Sequence, residues 1–323
     1  MTLEADSLAE RRRLKRRVSF WRTGAIILLV IAAVAYLASR QDHLMAQFDL
    51  NPHVARISIT GFIADDRQQR KLLSDIADNE QVRGVILHIN SPGGTTAGAE
   101  ALYNSLRALA EKKPVVAVFG TAATSAAYLA GIAADHIVAR GNSITGSVGV
   151  IMQWAEFSQF LQNWGVNFQE VRSGELKAVP SPFKPTEPAA RALVEEIVAE
   201  ARDWFVGLVA ERRELRPIHL EQVRTGRIYS GRQALTLGLV DEIGDEKSAL
   251  KWLTEKRGLP AEIEVIDRAV NDESGSFLMK SLSWAAGGLL GGLVPGLSEF
   301  LSANRQLNHL DGLISLWHPH SSQ

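Results

Sequence analysis

Short apolar runs that alternate with helical patterns are the feature that most constrains the fold of this chain. Val82–Ile89 and Pro114–Phe119 have the length and composition of buried strands. Apolar residues with helical spacing precede and separate them, in residues 65–79 and 97–109. Strands that alternate with helices in this way predict an α/β domain, layered around a largely parallel sheet, over residues 53–267.

The rest of this region predicts further elements of the same kind. Trp154–Trp164 has helical spacing, residues 173–183 contain two prolines and are predicted to be irregular, and Gly226–Gly231 is typical of a turn. Other helices are predicted at 186–213, 232–237 and 245–257. Further strands are predicted from short or alternating apolar runs at Val54–Ile63, Asp135–Ala139, Val166–Val171 and Ile263–Ile266.

Composition and charge exclude several functional classes. The 323 residues include no cysteine, which excludes disulfides, thiolate metal sites and a cysteine nucleophile. Residues 1–22 hold seven Lys and Arg against three Asp and Glu, which leaves 28 against 33 in the remainder. Because the basic charge is local and the body is acidic, a nucleic-acid partner is not expected. No cofactor or metal ion is expected either.

An apolar segment near the amino terminus predicts a single membrane span. Residues 18–39 contain one charged residue, Arg22, and are just long enough to cross a bilayer. Trp21 and Tyr36 lie near its ends, as interfacial aromatic residues do. The basic residues in 1–17 predict a cytoplasmic amino terminus in the inner membrane and a body outside the cytoplasm, in the periplasm of a Gram-negative cell.

The segments before and after the predicted domain, residues 1–52 and 268–323, are interpreted separately. A cleaved signal peptide is the alternative to an anchor, because the small residues in Ala33–Arg40 resemble a cleavage context. Residues 40–52 are predicted to be a linker. The tail, 268–323, contains the Gly- and Leu-rich stretch Phe277–Leu301, which is expected either at the membrane interface or against a neighbouring subunit.

Ser125 is the leading candidate for a nucleophile. It follows the apolar run that ends at Phe119 and opens a short, nearly uncharged helical pattern. The N–H groups in the first turn of a helix have no partner inside the helix, and the helix dipole favours negative charge there. The Ala126 N–H can therefore act as an oxyanion donor. The alternative interpretation is that Ser125 only caps the helix.

A serine nucleophile also needs a base and a second oxyanion donor. His88 and His136 lie in predicted strands, which favours structural roles for both. Lys177 lies in the proline-rich segment, and a lysine acts as a base only where burial or nearby cations favour its neutral form; alone it is typical of a solvated surface. Gly93–Gly94 either lets backbone N–H groups approach a ligand closely or only makes a tight turn.

Several of these motifs, in order, resemble the short form of signal peptide peptidase A, a family of membrane-bound serine proteases related to the Clp protease and crotonase folds. The resemblance extends from about Val54 to Ile266. Each motif is modest alone, but the ordered set is specific. The motifs are Ile89–Gly94, Ala123–Ala130, Ala134–Asp135, Thr145–Val150, Ser173–Lys177 with Ser181–Phe183, and Thr225–Arg227 through Gly238–Asp241.

The resemblance implies a Clp- and crotonase-like α/β domain of repeated ββα units, preceded by one transmembrane helix. It implies a Ser/Lys dyad in which Ser125 is the nucleophile and Lys177 the general base. It further implies an oxyanion hole and a groove for the substrate. The oxyanion donors would be the N–H groups of Gly94 and Ala126, and the groove would include Gly93, Val148, Val150 and Ile151.

The resemblance also implies the partners: cleaved signal peptides and other apolar peptides, the lipid membrane, and further copies of the chain in a ring or dome. One departure is that the family usually has Gly-Gly after the serine, whereas this chain has Ala126–Ala127, which predicts a narrower approach to Ser125. A Clp-type triad is not expected, because Gly146–Val150 contains no histidine. The alternatives are a crotonase-like acyl-CoA enzyme without a serine nucleophile and an inactive membrane scaffold of the same fold.

Overall fold

The computed structural model describes residues 51–270, the strand at 314–316 and, near the amino terminus, Trp21, Arg22 and Ile26. The described strands are β1 (His53–Ile63), β2 (Val82–Thr95), β3 (Val115–Thr124), β4 (His136–Ala139), β5 (Ile144–Gly146), β6 (Ile228–Ser230), β7 (Glu242–Ile243), β8 (Glu264–Arg268) and β9 (Ile314–Leu316). The described helices are α1 (Arg67–Asp78), α2 (Thr96–Lys112), α3 (Ala126–Ile132), α4 (Ser158–Asn163), α5 (Pro188–Arg213), α6 (Pro217–Arg224), α7 (Gly231–Leu237) and α8 (Glu246–Arg257).

All of these strands belong to one mixed sheet. Its main path runs β6-β5-β3-β2-β1-β8, while β4 pairs with β3 and β7, and β9 pairs with β2. Neighbouring strands are parallel except for β5 with β6 and β2 with β9. The predicted α/β domain with a largely parallel sheet is therefore confirmed.

The central strands are apolar throughout because both of their faces are covered. Along β2, Val85, Leu87 and Ile89 pack in the larger core with α1, α2, α3 and α5. Ile86 faces the opposite way and packs in a smaller cluster with Ala249 and Leu253 of α8. Residues on both faces of β2 are completely buried, which explains why the sequence shows a continuous apolar run rather than alternation.

Strand β3 changes its neighbour halfway along, and this change positions the candidate site. Residues 116–119 pair with β4, whereas residues 122–124 pair with β5. On the opposite edge, the ladder between β2 and β3 shifts register between Ile89 and Ser91. The Asn90 side chain stabilises this irregularity by accepting the N–H groups of Thr121 and Ala122 at 3.1 and 3.2 Å. Beyond this irregularity, the carboxyl end of β3 pairs with Ser91 of β2 on one side and with β5 on the other.

Three of the predicted elements are wrong. Val166–Val171 forms no strand, and its apolar side chains Val166, Phe168 and Val171 are exposed. The predicted helix Trp154–Trp164 is reduced to the six residues of α4. The predicted turn Gly226–Gly231 contains β6, because Gly226 at φ 73° completes the turn early and the next residues pair with β5.

Most of the residues for which a membrane role is predicted lie outside the described part of the chain. The predicted span, 18–39, lies outside the described residues except at Trp21, Arg22 and Ile26, and Phe277–Leu301 lies wholly outside them. Within the part of the chain that is described, none of the helices combines the length and the apolar character needed to cross a bilayer.

Candidate active site

Ser125 occupies the junction between β3 and α3 in a conformation that a simple helix cap does not need. Its φ and ψ are 58° and −122°, a region that costs a residue with a side chain about 1–3 kcal/mol. Its side chain makes no capping hydrogen bond to α3, so the capping interpretation is wrong. Its N–H donates to the Gly146 carbonyl at 2.8 Å, and its carbonyl accepts the Leu129 N–H at 3.0 Å. The main chain on both sides of the serine is thus fixed.

The helix that follows the serine is buried along its whole length. Every residue of α3 is buried, and Ala126 and Ala127 belong to the main core. Tyr128 donates its hydroxyl to the Leu239 carbonyl at 2.9 Å, and burial raises the pKa of this phenol. Ala126 is the first residue of α3, and the N–H groups in the first turn of a helix have no partner inside the helix. The serine therefore lies on a rigid support with a backbone donor next to it.

The Gly93–Gly94 segment is an extended continuation of β2, not a turn. Phe62 and Ile63 of β1 pair with Gly93 and Gly94. Gly93 has φ 120°, and its N–H donates to the Ser91 hydroxyl at 3.1 Å. A Cβ atom at Gly94 would overlap the carbonyl oxygen of Ile63, so only glycine fits there. Glycine is needed because two backbones approach closely.

Two contacts bring this glycine segment to the serine. Ser91 pairs with Ala123 in the ladder between β2 and β3. The Thr124 hydroxyl donates to the Pro92 carbonyl at 3.0 Å. The residues directly before Ser125 therefore contact the residues directly before Gly93. Sequence reasoning missed this use of Thr124, since a threonine at a strand end carries no local signal of its distant partner.

The predicted groove residues differ in their surroundings. Val148 is buried, whereas Ile151 is 41% exposed. Val150 and Ile151 line a cavity of about 570 Å³ together with Met152, Gln153, Trp154 and the α5 residues Val194, Glu195, Val198, Ala199 and Arg202. Val148 does not line this cavity. The described structure thus offers a largely apolar depression beside two of the four predicted residues.

Lys177 lies in the irregular segment between α4 and α5. Its side chain is exposed, and no hydrogen bond or ion pair joins it to Ser125 or to another described residue. Large apolar side chains of residues 157–183, which include α4 and most of this segment, are exposed as well. They are Phe157, Phe160, Trp164, Val166, Phe168, Val171, Leu176 and Phe183. Within one chain, the described structure therefore does not bring the lysine and the serine together.

The histidines do not take the place of a base. His136 lies near two carboxylates, 3.8 Å from Asp241 and 3.3 Å from Glu242, and its ring stacks on Trp252 with 5.0 Å between ring centroids. His88 is half-buried within β2. Among the described residues, no group of three or more Asp, Glu or His side chains could hold a metal ion.

Comparison with known proteins gives consistent matches. The profile of peptidase family S49 matches residues 107–260, and that of Clp protease matches residues 54–143. The chain is 34% identical over 236 residues to a putative protease of Methanocaldococcus jannaschii, covering 73% of this chain and 76% of the relative. It is 33% identical to a putative protease of a Synechocystis species, covering 66% and 77%.

A third relative is a putative signal peptide peptidase SppA of Enterococcus faecium. It is 31% identical over 224 residues, which are 65% of each chain. The matches cover the buried sheet, the serine junction and the irregular segment with Lys177, and they favour a peptidase over an acyl-CoA enzyme. The chain therefore belongs to peptidase family S49, and it is a serine peptidase that resembles signal peptide peptidase A.

Proposed function

We propose that this protein is a membrane-anchored endopeptidase in which Ser125 attacks a peptide carbonyl and Lys177 transfers the proton. The observation that carries the proposal is the main chain at Ser125. It holds the serine at φ 58° beside a buried helix, against a glycine segment that tolerates no side chain. An unfavourable backbone conformation of this kind persists only where the surrounding structure enforces it, and such conformations are concentrated at functional sites.

The oxyanion formed by this attack would lie between two backbone donors. The Ala126 N–H opens α3, where the helix dipole adds to the favourable field for negative charge. The Gly94 N–H belongs to the segment that the Thr124–Pro92 contact ties to the end of β3. Donors fixed in this way stabilise developing charge without reorganising, and the loss of one such donor typically costs about 10²–10³-fold in rate.

Lys177 would reach the serine of a neighbouring copy. A solvated ammonium group is a poor base, and within one chain the Lys177 side chain is exposed. The exposed aromatic and aliphatic side chains of residues 157–183 give a surface that a second copy can cover. Covering this surface would remove water from Lys177 and favour its neutral form. This argument supports an oligomer whose sites are completed between subunits.

Single substitutions test the chemistry. We expect Ser125→Ala and Lys177→Ala each to abolish hydrolysis of an apolar peptide by the full chain in detergent, with thermal stability retained. Lys184→Ala is the matched control, because Lys184 lies in the same irregular segment but pairs with Glu170 at 2.9 Å. We expect it to keep most of the activity. A fluorophosphonate probe should label the wild type and not Ser125→Ala; an unlabelled wild type would indicate an inactive scaffold.

A mixing experiment tests the shared site. Neither the Ser125→Ala nor the Lys177→Ala protein should hydrolyse peptide alone, but after subunit exchange some interfaces pair an intact serine with an intact lysine. We therefore expect activity to return in the mixture. Exchange is monitored with two fluorescent labels. If the labels mix and no activity returns, both groups act within one chain and the shared site is refuted.

The placement and the substrates are proposed from the same reasoning. Residues 18–39 would anchor the chain in the inner membrane with the body in the periplasm, near cleaved signal peptides and other apolar peptides. The apolar cavity beside Val150 and Ile151 supports a preference for apolar side chains. In a Gram-negative host, protease added to spheroplasts should digest the body. A body that resists digestion until the membrane is lysed would contradict this orientation.

A further inference from the structure

Three consecutive carbonyl groups at the end of α3 accept hydrogen bonds from arginine side chains. The last carbonyl groups of a helix have no partner inside the helix, and α3 is buried along its whole length. The Ala130 and Gly131 carbonyls accept the N–H groups of Ala133 and Ala134, which makes a tight last turn. The next three carbonyl groups, those of Ile132, Ala133 and Ala134, all accept guanidinium N–H groups.

The donors are two half-buried arginines on two different helices. Arg107 of α2 donates from Nη1 to the Ala133 carbonyl at 2.8 Å. Arg212, in the last turn of α5, donates from Nε to the Ile132 carbonyl at 3.0 Å and from Nη2 to the Ala134 carbonyl at 3.1 Å. Hydrogen bonds from a charged donor are stronger than neutral ones, and the helix dipole favours cations at this end. The carboxyl end of α3 is thus held firmly from two sides.

The short main chain of α3 connects this end to the serine. α3 has seven residues and is therefore about 10 Å long. The Ser125 carbonyl accepts the Leu129 N–H at 3.0 Å, so the serine is continuous with the hydrogen-bonded helix. Tyr128 is the one residue of α3 with a polar side chain. Because the helix is short and rigid, a displacement along its axis moves Ser125 and the Ala126 N–H by a similar distance.

Arg107 joins the two helices that begin at the proposed oxyanion donors. α2 begins directly after the glycine segment, with Thr95 as its N-cap, and α3 begins with Ala126. The two helices pack against each other. The hydrogen bond from Arg107 to the Ala133 carbonyl fixes α2 and α3 relative to each other. It therefore also fixes the Gly94 N–H, at the start of one helix, relative to the Ala126 N–H, at the start of the other.

Arg212 joins α3 to the helix that lines the apolar cavity. α5 packs against α3, and its residues Val194, Val198 and Ala199 line the cavity beside Val150 and Ile151. Arg212 lies at the other end of this 26-residue helix. Its two hydrogen bonds therefore fix the serine helix relative to the helix that the proposed function places beside the substrate.

We propose that Arg107 and Arg212 are positioning residues, which hold α3 so that Ser125 and the Ala126 N–H stay aligned with the Gly94 N–H and with the cavity. This inference rests on the proposed function. Neither arginine contacts the reacting atoms, because the length of α3 separates them from the serine. The alternative is that the two arginines only stabilise the fold, as basic side chains at the end of a helix commonly do. The two roles differ in their effect on a folded site.

The rate at which a fluorophosphonate labels Ser125 in the full chain separates these roles. Loss of folded protein lowers the amount labelled at the end point, whereas misplaced donors slow the labelling of every folded molecule. We expect Arg107→Gln and Arg212→Gln each to label about tenfold more slowly than the wild type, and the double variant about 10²-fold more slowly, because a misplacement of about 1 Å costs about 10²-fold in rate. The kcat on an apolar peptide should fall by similar factors. KM should change much less, because the cavity keeps its lining residues.

Two control variants separate positioning from loss of charge and from loss of stability. Arg224→Gln removes an arginine that pairs with Asp203 at 3.0 Å, on the surface of the domain. Leu253→Ala leaves a cavity in the smaller core cluster, on the face of the sheet opposite α3, and so destabilises the fold without touching this helix. We expect both controls to label at the wild-type rate. If Leu253→Ala slows labelling as much as Arg107→Gln does, the effect is one of stability and the positioning role is overturned.

Arg107→Lys decides the question if the glutamine variants do not fold. Lysine keeps the charge and a donor but lacks the planar guanidinium group, so this variant should fold and should label more slowly than the wild type. Labelling at the wild-type rate would overturn the positioning role.

The outcomes also separate this inference from the proposed function. If the wild type hydrolyses the peptide and the folded Arg107→Gln and Arg212→Gln variants are equally fast, the positioning role is overturned and the Ser/Lys dyad is unaffected. If Ser125 of the wild type does not react with the fluorophosphonate, both proposals are overturned.

Discussion

Gly94→Ala is the sharpest test of the proposed oxyanion segment. The added Cβ would overlap the Ile63 carbonyl oxygen, carbon and Cα, which are backbone atoms of β1 and cannot rotate away. Relieving the overlap requires a main-chain displacement on the order of 1 Å, and a misplacement of that size costs about 10²-fold in rate. Loss of the donor altogether would cost about 10²–10³-fold, equivalent to about 2.7–4 kcal/mol of transition-state stabilisation.

The assay compares kcat/KM on an apolar peptide with the rate of fluorophosphonate labelling. Gly84→Ala is the matched control, because Gly84 lies on the same strand and the atoms nearest to its Cβ would belong to side chains, those of Leu259, Leu253 and Pro114 at 3.2, 3.3 and 3.6 Å. We expect the Gly84→Ala variant to keep most of the peptidase activity. The Gly94→Ala variant should have a much lower kcat, and both variants should retain a cooperative thermal transition. If Gly94→Ala is as active as Gly84→Ala, the oxyanion assignment is wrong.

Three further predictions concern stability, each measured by urea unfolding. Tyr128→Phe should lower the free energy of unfolding by about 1–3 kcal/mol, because it leaves the buried Leu239 carbonyl without its partner. Gly207→Ala should raise it by about 0.5–1 kcal/mol, because a Cβ there meets open space within a helix. Arg56 holds the pKa of Asp267 below its usual value, so the stabilisation is present at neutral pH and is lost as the pH falls through that lowered pKa. The side chain of Asp267 is 70% exposed, so Arg56→Gln should cost no more than about 1 kcal/mol at pH 7 and nothing in strong acid.

The strands that the sequence predicts well are those whose two faces are buried by helices, such as Val82–Ile89. Their ends are less predictable. Pro92–Gly94 has the composition of a turn, but pairing with β1 keeps it extended, and no local pattern reveals a partner strand some thirty residues away. The prediction for Val166–Val171 is wrong in the opposite way: its residues have a high β-propensity but form no strand, because that propensity depends on the tertiary surroundings.

The candidate site was likewise predictable from the sequence only in part. Ser125 could be singled out because a strand, a serine and a small-residue helix follow one another directly in the sequence. The positive φ of Ser125 could not be predicted from the sequence. That conformation is enforced by the Gly146 carbonyl and by the buried α3 rather than by the neighbours of Ser125 in sequence. The surroundings of Lys177 are not predictable from one chain if another copy supplies them.

The pairing of β1 with β8 has a consequence for how the protein is made. Arg56 and Asp267, which join these strands, are 211 residues apart in sequence. At about 5–20 residues per second, ribosomes need about 10–40 s to synthesise that interval. During this time the outer edge of β1 has no partner and can pair with other chains. Long-range closure of this kind also makes folding slow. The nascent protein thus exposes this sheet edge until its last domain strand emerges, and its synthesis includes an interval in which the edge is open to aggregation.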